Sequence, residues 1–259
     1  MHPSPLTGEI APLSLTASIV AAYLVIVTVA SFVQALTGFA LGLIVMGAAT
    51  ALALTPVSFT AAVISLFGLA NGLWVLRTHH PHIDRPITVQ LTGGMVPGVV
   101  LGLYLLHHIE GTAPVMLRHG LGIFLVVAGV ALMARPHPFA KQSPPSWGVL
   151  AGVAGGVFAG LFSAPVPFVF YLYRQPLPVA TIRATLLVVF VMATGWRIIW
   201  LTLQGGMTGQ MVVLGALALP VIALSAHLAL RISHRIPPLA MRRLAFALLI
   251  ALGLTLLVR

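Results

Sequence analysis

The sequence predicts an all-α polytopic membrane protein built as two inverted-topology repeats with short broken or re-entrant helical hairpins. Three observations carry this expectation. Of 259 residues, 59% are hydrophobic and only 6% are charged, whereas a soluble domain has roughly a quarter of its residues charged. No Asp, Glu, Lys or Arg occurs from Ile10 to Leu76, a run long enough for about three crossings of some 20 residues each. A pattern also recurs: Pro56-Val57 precedes Trp74 by eighteen residues, and Pro178-Val179 precedes Trp196 by eighteen. Mid-segment prolines follow in both places, Pro97 and Pro220, at an offset of about 122 residues.

In chain order, residues 1–14 form an N-terminal tail. It holds Glu9 but no Lys or Arg, so the basic region of a cleavable signal is missing and none is expected. Apolar segments follow at 15–36, 38–54 and 56–76, with breaks at Leu36-Thr37-Gly38 and Leu54-Thr55-Pro56, where Gly frees the backbone and Pro starts a helix. Segments at 87–107 and 116–134 complete a first repeat, 15–134, and Pro97 is expected to bend or break its helix. The polar stretch 135–146, with Arg135, Lys141 and several prolines, reads as a cytoplasmic linker. The second repeat, 147–259, holds segments at 147–163, 179–202, 209–230 and 240–258, with a shorter apolar piece at 164–173. Pro220 is expected to act as Pro97 does. Strict alternation, the mark of a barrel strand, is absent from runs such as Ile123 to Ala128.

Net charge is +10, from thirteen Lys and Arg against Glu9, Asp84 and Glu110. The basic residues stand singly between apolar runs, which points to a lipid bilayer and away from nucleic acid. Their placement gives orientation. Arg77 and Arg85 follow the third segment, while its counterpart, Gln204 to Thr208, is uncharged. The next pair of loops reverses: 107–118 hold one Arg and one Glu, and their counterpart holds Arg231, Arg235, Arg242 and Arg243. Under the positive-inside rule the halves face opposite ways, the linker lies inside and both termini lie outside. The chain has no Cys, which excludes disulfides, thiolate metal sites and cysteine nucleophiles.

Two segments carry a resemblance. Ser31-Phe32-Val33-Gln34-Ala35-Leu36-Thr37-Gly38-Phe39-Ala40-Leu41-Gly42 resembles the first signature of the TauE/SafE sulfite-exporter family, the TSUP permeases. Gly160-Leu161-Phe162-Ser163-Ala164-Pro165-Val166-Pro167-Phe168-Val169-Phe170-Tyr171-Leu172 resembles the second. Ser163, Ala164 and Val166 stand where that signature carries glycines. The resemblance spans the chain from about residue 18 and implies a bacterial inner-membrane transporter of small anions such as sulfite or organosulfonates.

Hairpin tips are where backbone N–H groups lose their helical partners, which lipid tolerates only inside protein or around a watery cavity. An anion fits such a tip, since a half-helix N-terminus offers free donors and a positive dipole end. Gln34, Thr37, Gly38 and Phe39 in one half, with Ser163, Ala164 and Pro165 in the other, are therefore candidate substrate-binding residues. Small residues there serve close helix packing equally well. Arg197 is an ionisable residue inside a span, a functional candidate by default, and its fork suits an oxyanion. Its place near the segment's end also allows snorkelling beside Trp196 to the interface. Asn71 is a further candidate, with interhelical hydrogen bonding as its alternative. Arg183 reads as an interfacial anchor, Gln90 and Gln204 as weaker candidates, and Trp74 and Trp196 as belt or pathway-wall residues. The tract His79-His80-Pro81-His82 and the pair His107-His108 lack metal-ligand spacing and an accompanying carboxylate, so neither a metal nor a cofactor is expected. His227 is the one histidine with the look of a buried proton relay.

All three acids are expected in loops, which disfavours a carboxylate proton relay. Without an Asp pair, a Glu-flanked His pair or an intramembrane Lys, no enzyme is expected. The reading is a secondary transporter of small organosulfur anions working by alternating access. An anion-permeable channel and a membrane interaction protein without transport stand as alternatives.

Overall fold

A computed structural model of the chain describes residues 15–37, 40–79, 83–133, 138–232 and 238–258. All the regular structure among them is helical. Five helices precede the linker: α1 (Ala17–Thr37), α2 (Leu41–Ala51), α3 (Val57–His79), α4 (Arg85–Thr112) and α5 (Pro114–Met133). Five follow it: α6 (Pro145–Phe162), α7 (Val166–Tyr173), α8 (Val179–Leu203), α9 (Gly209–Ile232) and α10 (Pro238–Val258). Six helices, α1, α4, α5, α6, α8 and α9, carry described stretches long and apolar enough to cross a membrane. Every apolar segment expected from sequence is a helix, including the short one after Ser163. The break expected at Leu54-Thr55-Pro56 also falls between helices, and it begins two residues earlier, with Ala53 in the left-handed region at φ 50°.

Local chemistry sets the helix ends. Asp84 is the N-cap of α4, its carboxylate accepting from Ile87 N at 2.9 Å, and Pro86 occupies the first turn, where a missing N–H costs nothing. Prolines likewise open α5, α6 and α10. Pro97 and Pro220 both lie within continuous helices, so neither breaks its element. Glu110, expected in a loop, belongs to the last turn of α4, where its carboxylate accepts from Ser58 N at 3.0 Å. That puts a negative charge at the positive end of α3.

The directions of packed helices can be read from their glycines. Along α3, Gly68 faces Phe190 and Thr194 of α8, and Gly72 faces Val191 and Leu187, so the two helices run antiparallel. Gly122 of α5 faces Gly253 and Leu257 of α10, while Gly129 faces Phe246 and Ile250, again antiparallel. In contrast, α4 and α6 run parallel in the most extensive helix contact of the fold. Gly94, Gly98 and Gly102 meet Gly152, Gly156 and Gly160 there, and a Cβ on any of the six would strike the other helix's backbone. Hydrogen alone fits, and the two backbones touch as small-residue membrane interfaces do.

α6 and α7 form a hairpin that returns to its own starting end. Gln175, just past α7, is buried; its side chain accepts from Ser143 N at 3.0 Å and donates to Ser143 Oγ at 3.1 Å. Phe139 N donates to Arg174 O at 2.7 Å, and the Arg174 guanidinium lies 4.5 Å from the Phe139 ring centre. The linker is thereby fastened to the hairpin's open end. At the other end the chain turns through Ser163, Ala164 and Pro165. The tip of this hairpin touches the start of α2: a Cβ on Gly42 would lie 3.1 Å from Ser163 O.

Candidate functional site

At that tip the fold buries a charge. Arg197 is 2% exposed. It lies on α8 opposite the C-terminal turn of α6, and its Nη1 donates to Ala159 O at 2.8 Å and to Gly160 O. The carbonyls at a helix C-terminus are short of partners and sit at its negative pole, so they compensate part of the buried charge. The Nε and Nη2 atoms are equally buried and have no hydrogen-bond partner among the described residues. The guanidinium therefore points inward, and the snorkelling alternative is overturned. A side chain anchored through one nitrogen presents the opposite edge, Nε and Nη2, as two parallel donors.

Arg197 lines a narrow crevice among α3, α6, α8 and the tip, too tight to hold a water-sized sphere. Its polar lining residues are Arg197, Ser65, Ser163 and Thr194, and its apolar ones are Ala159, Pro165, Phe190 and Ala193. Ser163 has φ 52°. Its hydroxyl donates to Ala61 O at 2.8 Å and lies 3.1 Å from Ser65 Oγ, which also reaches Ala61 O at 2.8 Å. Thr194 Oγ1 donates to Phe190 O at 2.9 Å. All three hydroxyls are thus satisfied by backbone carbonyls.

Of the residues singled out from sequence, Ser163, Pro165 and Arg197 line this crevice, and Ala164 is buried beside them in the turn. Asn71 is half-buried on α3 and lies outside the crevice lining, as does half-buried Gln34 on α1. The side chain of Thr37, with Gly38 and Phe39, lies outside the described residues. Ser65, Phe190 and Thr194 were not anticipated. Thr194 carried a usable signal, since it precedes Arg197 by three residues and shares its helix face.

Other expectations resolve differently. His227 is exposed rather than buried. Arg183 is exposed near the start of α8, as an anchor would be. Trp196 packs against the apolar cluster of Leu91, Met95 and Phe168, its indole N–H buried and without a described partner. Of the histidine tract, His80 and His82 lie outside the described residues, and His107 and His108 are exposed late in α4. No group of three or more His, Cys, Asp or Glu converges among the described residues.

A probable sulfite/organosulfonate exporter TauE of Cupriavidus necator is 35% identical over 228 residues, covering 87% of this chain and 89% of that protein. A probable inner membrane transporter protein TsaS of Comamonas testosteroni is 34% identical over 166 residues, covering 63% of this chain and 68% of that protein. No solved structure matches. The family described as sulfite exporter TauE/SafE matches residues 23–256, nearly the whole helical body, and the chain belongs to that family.

Proposed function

We propose that this protein is an inner-membrane secondary transporter that exports small organosulfur anions, such as sulfite or organosulfonates, by alternating access, holding the anion at Arg197. The observation that carries the reading is the wholly buried guanidinium whose Nε and Nη2 lack partners. An unsatisfied buried donor costs about 1–3 kcal/mol, and an anion with two oxygens on one atom removes that cost at both nitrogens at once. The names of both relatives support transport, and that of the TauE relative supports this substrate class.

The proposed architecture is a pair of inverted repeats, 15–134 and 147–259, joined by a cytoplasmic linker, each beginning with a re-entrant hairpin. Support comes from the antiparallel course of α3 with α8 and of α5 with α10, helices that occupy equivalent places in the two halves. A hairpin that returns to its own side leaves three crossings in each half. An odd number inverts the second half relative to the first, and both termini then lie outside. Contact of the α6–α7 tip with Gly42 at the start of α2 suits a carrier in which the two hairpins meet beside the site.

In the proposed cycle, Arg197 stays anchored to α6 through Nη1 and offers Nε and Nη2 to the anion. Ser65, Ser163 and Thr194 add donors by rotating off their carbonyls. No carboxylate faces the crevice among its lining residues, so the local field favours anions and disfavours cations. The test is sulfite counterflow in proteoliposomes. Uptake accelerated by internal sulfite is expected. Flux without such acceleration would mean a channel, and no flux with no ligand-dependent stabilisation would mean an interaction protein.

A further inference from the structure

We propose that Phe190 is the wall that limits how large a substituent the bound oxyanion can carry, and that Gly68 sets where that wall stands. This rests on the Arg197 site proposed above. Arg197 and three hydroxyl residues line the crevice together with four apolar residues, which suits an anion with an ionised head and a small non-polar tail. With the head on Arg197, the proposed tail lies against Phe190, the only aromatic residue lining the space among the described residues.

The position of that ring depends on the helix behind it. A Cβ added at Gly68 would come within 3.1 Å of Phe190 Cε1 and 3.3 Å of Cζ, with Thr194 Cγ2 at 3.8 Å. Phe190 therefore rests against bare backbone of α3, and a methyl group at position 68 drives the ring away from α3 by a few tenths of an ångström. Phe190 lines a crevice with no spare room, so that displacement falls on the ligand's tail. The ionised head, held from α8 and the hairpin tip, is affected less.

One methylene more or less in a tight apolar pocket changes discrimination by about 10- to 200-fold, so the effect is readable as a ratio of affinities. The experiment titrates the purified full-length protein with sulfite, methanesulfonate, ethanesulfonate and benzenesulfonate, reading binding calorimetrically. Wild type is expected to bind benzenesulfonate at least about tenfold more weakly than methanesulfonate. Phe190→Ala should close that gap by about tenfold, Phe190→Leu by less, and Gly68→Ala should widen it. The unliganded melting temperature of each variant checks its folding, and Phe190→Leu, which keeps most of the apolar volume, carries the test if the alanine variant does not fold. An unchanged methanesulfonate-to-benzenesulfonate ratio in the folded variants overturns the inference while leaving the Arg197 site intact. Binding of all four anions by Arg197→Gln as tightly as by wild type removes the site itself, and the inference with it.

Discussion

Ala40, at the start of α2, has φ 94°, and Ser163, at the end of α6, has φ 52°. Each is a non-glycine residue in the left-handed region at the turn of a hairpin, where a side chain costs about 1–2 kcal/mol. Beyond that shared geometry the two differ. α2 is apolar and almost wholly buried, with Leu43, Ile44, Val45 and Met46 in the main core. The α6–α7 tip instead meets Arg197, Ser65 and Thr194. In the proposed repeat the hairpin serves once as packing and once as chemistry, so a repeated scaffold need not carry a repeated site.

The sharpest way to break this comparison is to ask whether the halves face opposite ways. The native chain has no Cys, so single cysteines report cleanly. Thr208→Cys, before α9, should react completely with an impermeant thiol reagent added outside intact cells. His82→Cys, in the corresponding loop of the first half, should react only after permeabilisation, and labelling of both from the same side would end the inverted reading.

Chemical asymmetry comes next. Arg197→Gln should weaken sulfite binding by about ten- to a hundredfold, from loss of a charge-assisted bond worth about 1.5–3 kcal/mol. Arg197→Lys should recover part of it, since charge survives and the fork does not. Asn71→Leu, on α3 outside the crevice lining, should stay within about twofold of wild type, a difference of some 0.4 kcal/mol. Equal losses in Arg197→Gln and Asn71→Leu would show that the polar residues act through packing.

A smaller effect separates neighbours on one helix. Gly94 faces the backbone of α6, whereas a Cβ at Gly93 meets nothing within 4 Å. Gly94→Ala should destabilise by about 1–3 kcal/mol through overpacking. Gly93→Ala should be neutral or stabilising by up to about 1 kcal/mol from helix propensity. Matching denaturation midpoints would mean that α4 and α6 sit further apart than described.

The smallest effect returns to the tips. Ala40→Gly relieves left-handed strain but adds unfolded-chain entropy of about 0.4–1 kcal/mol, leaving little net change. Ser163→Gly also loses the hydroxyl's contacts with Ala61 and Ser65 and should cost about 1 kcal/mol more. Indistinguishable melting temperatures would show that the hydroxyl contributes nothing.

Helix positions were legible because apolar runs, prolines and glycines act locally, and so was Arg197, whose charge is conspicuous in an apolar segment. The depth of the α6–α7 hairpin was not, because eighteen apolar residues look the same whether a helix crosses or turns back. The bonds from Gln175 to Ser143 and from Phe139 to Arg174 reveal the return. Ser65 and Phe190 were equally silent, being ordinary residues of apolar helices until α3, α6 and α8 converge. Glu110 was misplaced because charge suggests a loop, whereas the N–H groups at the start of α3 give a helical carboxylate a partner.

The glycine seam of α4 and α6 takes one helix from each half of the chain. Neither half on its own can cover its three glycines, and each exposes a groove shaped for the other. Residues 138–144 then act as a tether, raising the effective concentration of one half near the other, while the seam supplies the adhesion. Two fragments cut in this linker and produced together in one cell should reassemble into a functional unit, whereas either fragment alone should be cleared as an orphan.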